Sequence, residues 1–184
     1  MGKIRYGIKN AHYAKITRST QGITYGTPVA LPGARALSLE AQGESTDEYF
    51  DDILWFHADS NSGYSGTLEL ADLPESFYTD ILNESVDSSD VRSEYANAQQ
   101  NEFALLFEFS YAGEPGLTGS RVCFYRCVAG RPSETHTGKQ KNITADTVTL
   151  PITAMPRETD ELVKAVVKST STAYAGFLSA VYDN

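Results

Sequence analysis

The chain contains few of the residues that form disulfides, metal sites or catalytic triads. Its 184 residues include two cysteines, three histidines and one tryptophan. Cys123 and Cys127 belong to one predicted strand, in which about 13 Å would separate them, too far for a disulfide. Their spacing also differs from the Cys-x-x-Cys pairs of zinc sites. Both are therefore predicted to be partly buried free thiols in a reducing compartment.

Long hydrophobic segments are also lacking. No apolar run approaches the ~18 residues that a membrane-spanning helix requires. The N-terminus lacks the apolar segment of a signal peptide, so we expect synthesis in the cytoplasm and no membrane span. Hydrophobic residues make up 41% of the chain, an ordinary value for a globular protein. A chain of this length is expected to form one domain.

The three histidines lie outside the sequence motifs of hydrolases and metalloproteases. His12, His57 and His136 belong to no Gly-x-Ser-x-Gly or His-Glu-x-x-His pattern, and His57 is predicted to be a packing or surface residue. Residues 59–63 are similar to part of a calcium loop, but the glycine comes one position early and the closing glutamate is missing. A hairpin turn is predicted there instead. The sequence thus predicts no enzymatic activity, cofactor or metal site.

Charge is distributed unevenly along the chain. Residues 1–35 hold six basic residues and no acid, whereas residues 36–91 hold fourteen acids and no lysine or arginine. Residues 92–184 are nearly balanced, and the net charge is −9. Two explanations fit this uneven charge. Either the charged residues are simply solvated, or basic and acidic regions at different places on one domain orient assembly. A pI of 4.8 argues against tight DNA binding, because lysine and arginine supply most of that affinity.

The charge pattern suggests a contact between copies of the chain. We hypothesise that the basic N-terminal segment docks on acidic residues between Glu44 and Asp59 of a neighbour, a contact that salt would weaken. The predicted contact residues are Lys3, Arg5, Ile8, Tyr13 and Arg18 on the basic side and Asp47, Glu48, Asp51 and Asp52 on the acidic side.

Alternation of apolar and polar residues predicts a chain built mainly of strands. Strands are predicted at 6–13, 35–43, 49–58, 64–70, 146–154 and 162–169, and a hairpin at 102–111 and 121–130. Pro151 suggests an edge position or a bulge within its strand. A helix is predicted at 74–83, beginning with Pro74 and burying Phe77, Ile81 and Leu82. The polar segment 85–101 is predicted to be a loop.

These elements predict a β-sandwich or barrel with one flanking α-helix, in a single domain over residues 1–184. Glycines and prolines in residues 1–34 suggest an arm with little core of its own, followed by a β core over 35–169. The final residues, 170–184, are expected to form an amphipathic helix or a docking arm. If residues 1–34 are an arm, removal of residues 1–20 would leave a folded subunit that cannot polymerise.

Short motifs recur in order along nearly the whole chain. They are Tyr6-Gly7-Ile8-Lys9-Asn10, Gly26-Thr27-Pro28-Val29, Leu31-Pro32-Gly33, residues 38–44, residues 63–69, residues 103–109, Arg131-Pro132-Ser133 and Ser179-Ala180-Val181-Tyr182. In content and order they resemble the major tail proteins, or tail tube proteins, of long-tailed bacteriophages that infect Gram-positive bacteria.

The resemblance implies a structural protein of the virion tail, assembled in the host cytoplasm. Members of that family form hexameric rings that stack into a hollow conduit for DNA ejection. It further implies the chain's own copies as partners, together with a tape-measure protein, a tail terminator and tail-tip proteins. Genomic DNA would pass through the tube without specific binding. Two alternatives are a carbohydrate-binding β-sandwich and a tail-tip ring protein of the same fold that does not stack.

A channel for DNA favours a negative wall, because acidic side chains repel phosphates. Glu40, Glu69 and Glu108 lie on predicted strands opposite apolar neighbours, so they are the candidates for a lumen face.

Overall fold

Strands make up most of the chain. The computed structural model describes residues 3–20, 22–113, 115–136, 138 and 146–183. Its elements are β1 Ile4–Ser19, β2 Gly22–Tyr25, β3 Val29–Leu31, β4 Ala34–Gln42, β5 Ser45–Phe50, β6 Ile53–Asp59, β7 Gly63–Leu70, α1 Glu75–Asp80, β8 Ser85–Val86, β9 Arg92–Ser93, β10 Phe103–Ala112, β11 Gly119–Ala129, β12 Ser133–Glu134, β13 Val148–Ala154, β14 Lys164–Lys168 and a 3-10 helix Thr172–Tyr174.

One antiparallel sheet carries most of these strands, in the order β2-β1-β10-β11-β13-β7-β4. In addition, β3 pairs with β1, β12 with β13 and β14 with β11, whereas β5–β6 and β8–β9 form separate two-stranded hairpins. The predicted mainly β fold with one short flanking helix is confirmed. The predicted hairpin of β10 and β11 is present in antiparallel register. No helix in the described part of the chain is long and apolar enough to cross a bilayer.

Strands β10 and β11 are buried on both faces. On one face lies the larger core, with Leu68, Phe77, Leu105 and Phe124 among its members. On the other lies a smaller cluster of seven buried residues, Ala14, Ala104, Leu106, Cys123, Tyr125, Val167 and Phe177. A shift in the β10–β11 register places Phe103 opposite Cys127 and Leu105 opposite Phe124. This bulge turns Cys127 toward the larger core although Cys123 faces the smaller one.

The N-terminal residues form a core strand, so their interpretation as an arm is wrong. β1 pairs with β10 from Ile4 to Lys15, and its residues 11–16 are buried or half-buried. Gly7 and Asn10 have positive φ values of 66° and 52° and lie at register shifts, so these residues form bulges within the strand without ending it. Removal of residues 1–20 would delete this strand, so the truncated chain should not form a folded subunit.

The predicted helix and one predicted strand have different bounds. α1 covers only Glu75–Asp80, with Pro74 as its N-cap, and Phe77, Ile81 and Leu82 are buried as predicted. The predicted strand 49–58 is instead divided between β5 and β6 by a two-residue turn at Asp51 and Asp52. Both aspartates have positive φ, a conformation that aspartate tolerates better than most residues and that hairpin turns require. The pair therefore ends one strand and begins the next.

Pro151 does not lie at a sheet edge. β13 pairs with β7 on one side and with β12 and β11 on the other, and Pro151 falls between the latter two pairings. Its carbonyl accepts a hydrogen bond from the Gly130 backbone N–H at 2.8 Å. The nitrogen and carbonyl of a strand residue point to the same side, so the missing N–H faces the gap between β12 and β11.

The C-terminal segment packs on its own subunit. After the 3-10 helix it continues as turns, so the expected amphipathic helix does not form. Phe177 is buried in the smaller cluster, and Tyr125 donates its hydroxyl hydrogen to the carbonyl of Tyr182 at 2.7 Å. Arg157 forms an ion pair of 2.6 Å with Asp183. The segment therefore covers the second face of β10 and β11.

Candidate assembly surface

The β5–β6 hairpin projects from the main sheet as a continuation of β4 and β7, with backbone hydrogen bonds of 2.9 Å from Ser60 to Glu44 and from Ser62 to Gln42 at the junction. Within the described ranges, its strands pair only with each other, from Ser45 opposite Asp59 to Phe50 opposite Ile53. Every residue of β5 is exposed, and Ala58 is the one residue of β6 that is half-buried. An isolated two-stranded hairpin is marginally stable in water. Since nearly all its side chains are exposed, this hairpin gains little stability from side-chain packing within its own subunit.

Large apolar side chains cover the hairpin. The six that are exposed are Tyr49, Phe50, Ile53, Leu54, Trp55 and Phe56, and Trp55 has 73% of its surface exposed. Trp55 lies at a register shift, where Glu48 opposes Phe56 and Tyr49 opposes Leu54, and its ring meets Phe50 edge-on at 6.4 Å. Six large exposed apolar side chains on one hairpin are typical of a protein–protein contact site.

An imidazole links the two strands near the base of the hairpin. The Nδ1 atom of His57 lies 2.5 Å from a carboxylate oxygen of Asp47, and its Nε2 lies 3.3 Å from Asp59. Hydrogen bonds with Asp47 and then Asp59 raise the pKa of His57 above its usual 6.5. His57 is exposed, in line with its prediction as a packing or surface residue. Protonation of this residue would tie the two strands together by charge.

The predicted acidic contact residues all lie on this hairpin. Asp47 and Glu48 belong to β5, whereas Asp51 and Asp52 form its turn, and all four are exposed. Asp51 and Asp52 thus occupy the tip between Phe50 and Ile53, next to the apolar side chains. Their contact with a neighbouring copy remains a prediction.

The predicted basic contact residues differ in their surroundings. Lys3 and Arg5 are exposed and lie over aromatic rings, with Lys3 Nζ 4.0 Å from the Tyr111 ring centre and the Arg5 guanidinium 5.5 Å from that of Phe109. Ile8 is half-buried and packs against the larger core. Lys3 and Arg5 therefore lie at the surface, each next to an aromatic ring.

Tyr13 and Arg18 have partners inside their own subunit. Tyr13 is fully buried, so its prediction as a contact residue is wrong: its ring meets Phe77 at 5.0 Å and its hydroxyl donates to Asp80 at 3.1 Å. Arg18 forms 2.7 Å ion pairs with Glu102 and with Glu158. The N-terminal basic segment is thus neutralised in part by acids of the same chain.

The three glutamates predicted to face the lumen differ in exposure and in ion pairing. Glu40 is exposed on β4, and Glu69 is half-buried, 3.0 Å from Arg35. Glu108 is buried, and its carboxylate lies 3.1 Å from both Lys9 and Arg121. Its assignment to a free lumen face is therefore wrong. Burial alone would raise the pKa of Glu108, but hydrogen bonds from Arg121, Lys9 and Asn10 outweigh that effect and lower it.

A trough opens along one side of the curved sheet. Strand β4, at one end of the strand order, lies next to the first half of β1 without pairing with it. The resulting gap has a volume of about 640 Å³, and its apolar lining includes Leu37, Leu39, Phe107 and Phe124. We call this gap between β1 and β4 the seam trough. It lies within the size range of ligand pockets.

Basic side chains line the rim of the seam trough. Arg5, Arg35 and Lys164 all contribute, and no acidic residue of the described chain is among its lining residues. Lys164 Nζ donates to the Tyr64 hydroxyl at 2.7 Å and lies 4.3 Å from the centre of that ring. Because Glu69 neutralises Arg35, Arg5 and Lys164 supply most of the positive charge.

No family model and no curated protein sequence matches the chain. One similar solved structure is that of the anti-feeding prophage cap, a tube terminating cap. The likeness has a TM-score of 0.44 at 10% sequence identity and covers 90% of this chain and 94% of that chain. It is too distant to carry an argument about what this chain does. Within the described residues, no group of three or more histidine, cysteine, aspartate or glutamate side chains could hold a metal ion.

Sequence patterns alone do not predict the seam trough or the exposed hairpin face. Ile53–Phe56 is a continuous apolar run, which is typical of a buried strand. A partial signal was present, however: six acids and no lysine or arginine lie between Glu44 and Asp59. Such a charge density is hard to bury, and it indicates that the segment projects from the core.

Proposed function

We propose that this chain is a structural subunit of a phage tail tube. The observation that carries the proposal is the β5–β6 hairpin, whose six large apolar side chains are exposed in the subunit. A protein that works alone rarely presents such a surface, whereas a subunit of an assembly buries it against the next copy. The ordered motifs that resemble tail tube proteins support the same conclusion.

In this proposal six subunits form a ring, and rings stack into a tube. The outer edge of β4 forms no strand pairing within the described chain, so pairing across subunits would satisfy its backbone groups. Closure of such a sheet over several subunits yields a barrel with no free edge. Head-to-tail contacts between different patches allow growth to continue along one axis.

The tube would conduct genomic DNA and would not bind it. A net charge of −9 suits this task, because negative walls repel phosphates. Glu40, exposed on β4, is the strongest remaining lumen candidate, and Glu69 is the second. The tape-measure protein would fill the channel before ejection, while a terminator and tip proteins would bind the two ends.

Electron microscopy of the negatively stained protein tests the proposal at high concentration and at two salt levels. We expect hollow tubes or six-fold rings, more abundant at low salt because charge attraction is screened by ions. Single rings that never stack would favour a tail-tip ring protein. Small closed particles that bind glycans would favour a carbohydrate-binding module. Monomers under all these conditions, with or without tail-tip proteins, would contradict the proposal.

A matched pair of variants identifies the surface involved. Trp55→Ser removes the most exposed aromatic residue of the hairpin, whereas Val91→Ser removes an exposed apolar residue elsewhere. We expect Trp55→Ser to abolish assembly and Val91→Ser to leave it unchanged. Equal assembly by both variants would show that the hairpin is not the contact.

A further inference from the structure

We infer that the β5–β6 hairpin of one copy inserts into the seam trough of the next copy. This inference rests on the proposed self-assembly and names the two surfaces that meet. The hairpin supplies apolar side chains flanked by carboxylates, and the seam trough supplies an apolar floor with a basic rim. Both surfaces belong to every subunit, so the contact joins a different patch on each partner.

The seam trough is apolar at its floor and open to solvent. Phe107 stacks on Phe124 at 6.2 Å, and Tyr64 meets Phe124 edge-on at 5.4 Å. Val166, which also lines the trough, has 53% of its surface exposed. A partner that covered these side chains would bury apolar area now in contact with water, which favours association.

Charge complementarity favours a second copy of this chain as the occupant of the seam trough. The hairpin segment from Glu44 to Asp59 carries six carboxylates, whereas Arg5 and Lys164 place positive charge along the seam trough. Such complementarity orients the partners and discourages wrong contacts. A second copy of this chain supplies both the matching charge and the apolar side chains.

The hairpin does not fill its own trough. Its large apolar residues are exposed in the isolated subunit, and Trp55 is the most exposed of them. Six residues of extended chain give β5 a length of about 20 Å, enough to project well beyond the sheet. Each subunit therefore offers one hairpin and one unfilled trough, and a contact between them leaves one of each free for further copies.

Two variants separate the two halves of the contact. The donor variant, Phe50→Ser with Trp55→Ser, removes apolar side chains from the hairpin and keeps the trough. The acceptor variant, Arg5→Glu with Val166→Glu, places negative charge on the trough rim and keeps the hairpin. All four residues are exposed, so neither variant disturbs the core. Thermal unfolding followed by circular dichroism checks that both variants fold.

We expect each variant alone to remain monomeric. The concentration required for assembly should rise by about a hundredfold, as for loss of central interface residues. An equimolar mixture should form a heterodimer of twice the 20.1 kDa subunit mass, because it combines one intact hairpin with one intact trough. Sedimentation velocity measures both results, and heterodimer formation itself shows that both variants are folded.

Other outcomes overturn the inference. If wild-type protein assembles but the mixture of variants stays monomeric, the hairpin contacts another surface, and the tube proposal stands. If the acceptor variant assembles like wild type, the seam trough is not the acceptor. If wild-type protein fails to assemble under every condition, the proposed function and this inference fail together.

Discussion

The Nδ1 atom of His57 lies 2.5 Å from a carboxylate oxygen of Asp47, across the two strands of the exposed hairpin. Asp59 approaches the other ring nitrogen, so a protonated imidazole would bridge two carboxylates. These are the groups that face His57 from both strands of the hairpin. Because this bridge adds a charged contact to the backbone ladder between the two strands, it couples hairpin order to pH.

His57 gives the hairpin a pH-dependent stability. Since its folded-state pKa is raised above 6.5, the contribution is complete below the unfolded value and is lost as pH rises through the folded value. We therefore expect assembly of the wild-type protein to weaken as the pH rises through this raised pKa, above 6.5. The dependence should disappear in His57→Gln and persist in the control His136→Gln. Proton NMR measures the pKa directly, and a value at or below 6.5 would refute the bridge.

Glu108 supports the fold through a buried ion network. Glu108→Ala should lower the free energy of unfolding by about 3–5 kcal/mol, because Arg121 would lose its carboxylate partner and keep only the carbonyls of Tyr174 and Ala175. Glu40→Ala, on an exposed site, should change it by at most about 0.5 kcal/mol. Denaturant unfolding measures both values. Since the pKa of Glu108 is lowered, its contribution is present above its ordinary value of 4.5 and is lost as pH falls through the lowered pKa. Equal stability of the two variants would return Glu108 to the list of lumen candidates.

Tyr13 anchors the N-terminal strand in the larger core. Tyr13→Ala should cost about 3–5 kcal/mol of unfolding free energy, because it leaves a cavity against Phe77. Tyr13→Phe, which loses only the hydrogen bond to Asp80, should cost about 1 kcal/mol. Tyr6→Ala is the control, because Tyr6 is exposed on the same strand. An unfolding midpoint unchanged in Tyr13→Ala would show that β1 is not a core strand.

Both cysteines should be unreactive in the native protein. Burial raises the pKa of Cys123 to about 12 and that of Cys127 still further, so neither forms the reactive thiolate near neutral pH. A chromogenic disulfide reagent at pH 8 should detect no thiol until denaturant is added, and then both. Val91→Cys, at an exposed position, should react at once and serves as the control. Fast reaction of native wild-type protein would show that the two clusters open readily.

Local pattern and turn chemistry predicted much of the sheet. The hairpin of β10 and β11 follows from two apolar runs on either side of a glycine- and proline-containing turn. β4 and β7 follow from simple alternation, since each has one face on the core and one face exposed. Such strands can be predicted from neighbouring residues alone, without information about residues distant in sequence.

Positions that break a strand pattern caused the errors. The arm was predicted from the glycines and prolines between Gly22 and Gly33. The strand predicted at 6–13 instead continues to Ser19 and carries Gly7 and Asn10 as bulges where it pairs with β10. Asp51 and Asp52 lack the glycine that usually marks a hairpin turn, so their turn was missed. The conformation at such positions depends on pairing with strands distant in sequence, which the neighbouring residues do not reveal.

Burial on two faces explains the misassigned glutamate. Residues 103–109 form an almost continuous apolar run, which is typical of a strand covered on both sides. A carboxylate inside such a run must be paired, and Arg121 pairs with Glu108 from the neighbouring strand. The seam trough was not predictable in the same way, because it arises where two strands distant in sequence approach without pairing.

Because the β5–β6 hairpin projects from the main sheet, hydrogen exchange of its amides can report on assembly. Its backbone amides should exchange with solvent deuterium by local opening, whereas those of β10 and β11 should exchange only when the whole subunit unfolds. Burial of the hairpin against a second copy would slow exchange of the hairpin amides and leave exchange of the β10 and β11 amides unchanged. The order in which assembly contacts form could thus be followed in time, residue by residue, without altering the chain.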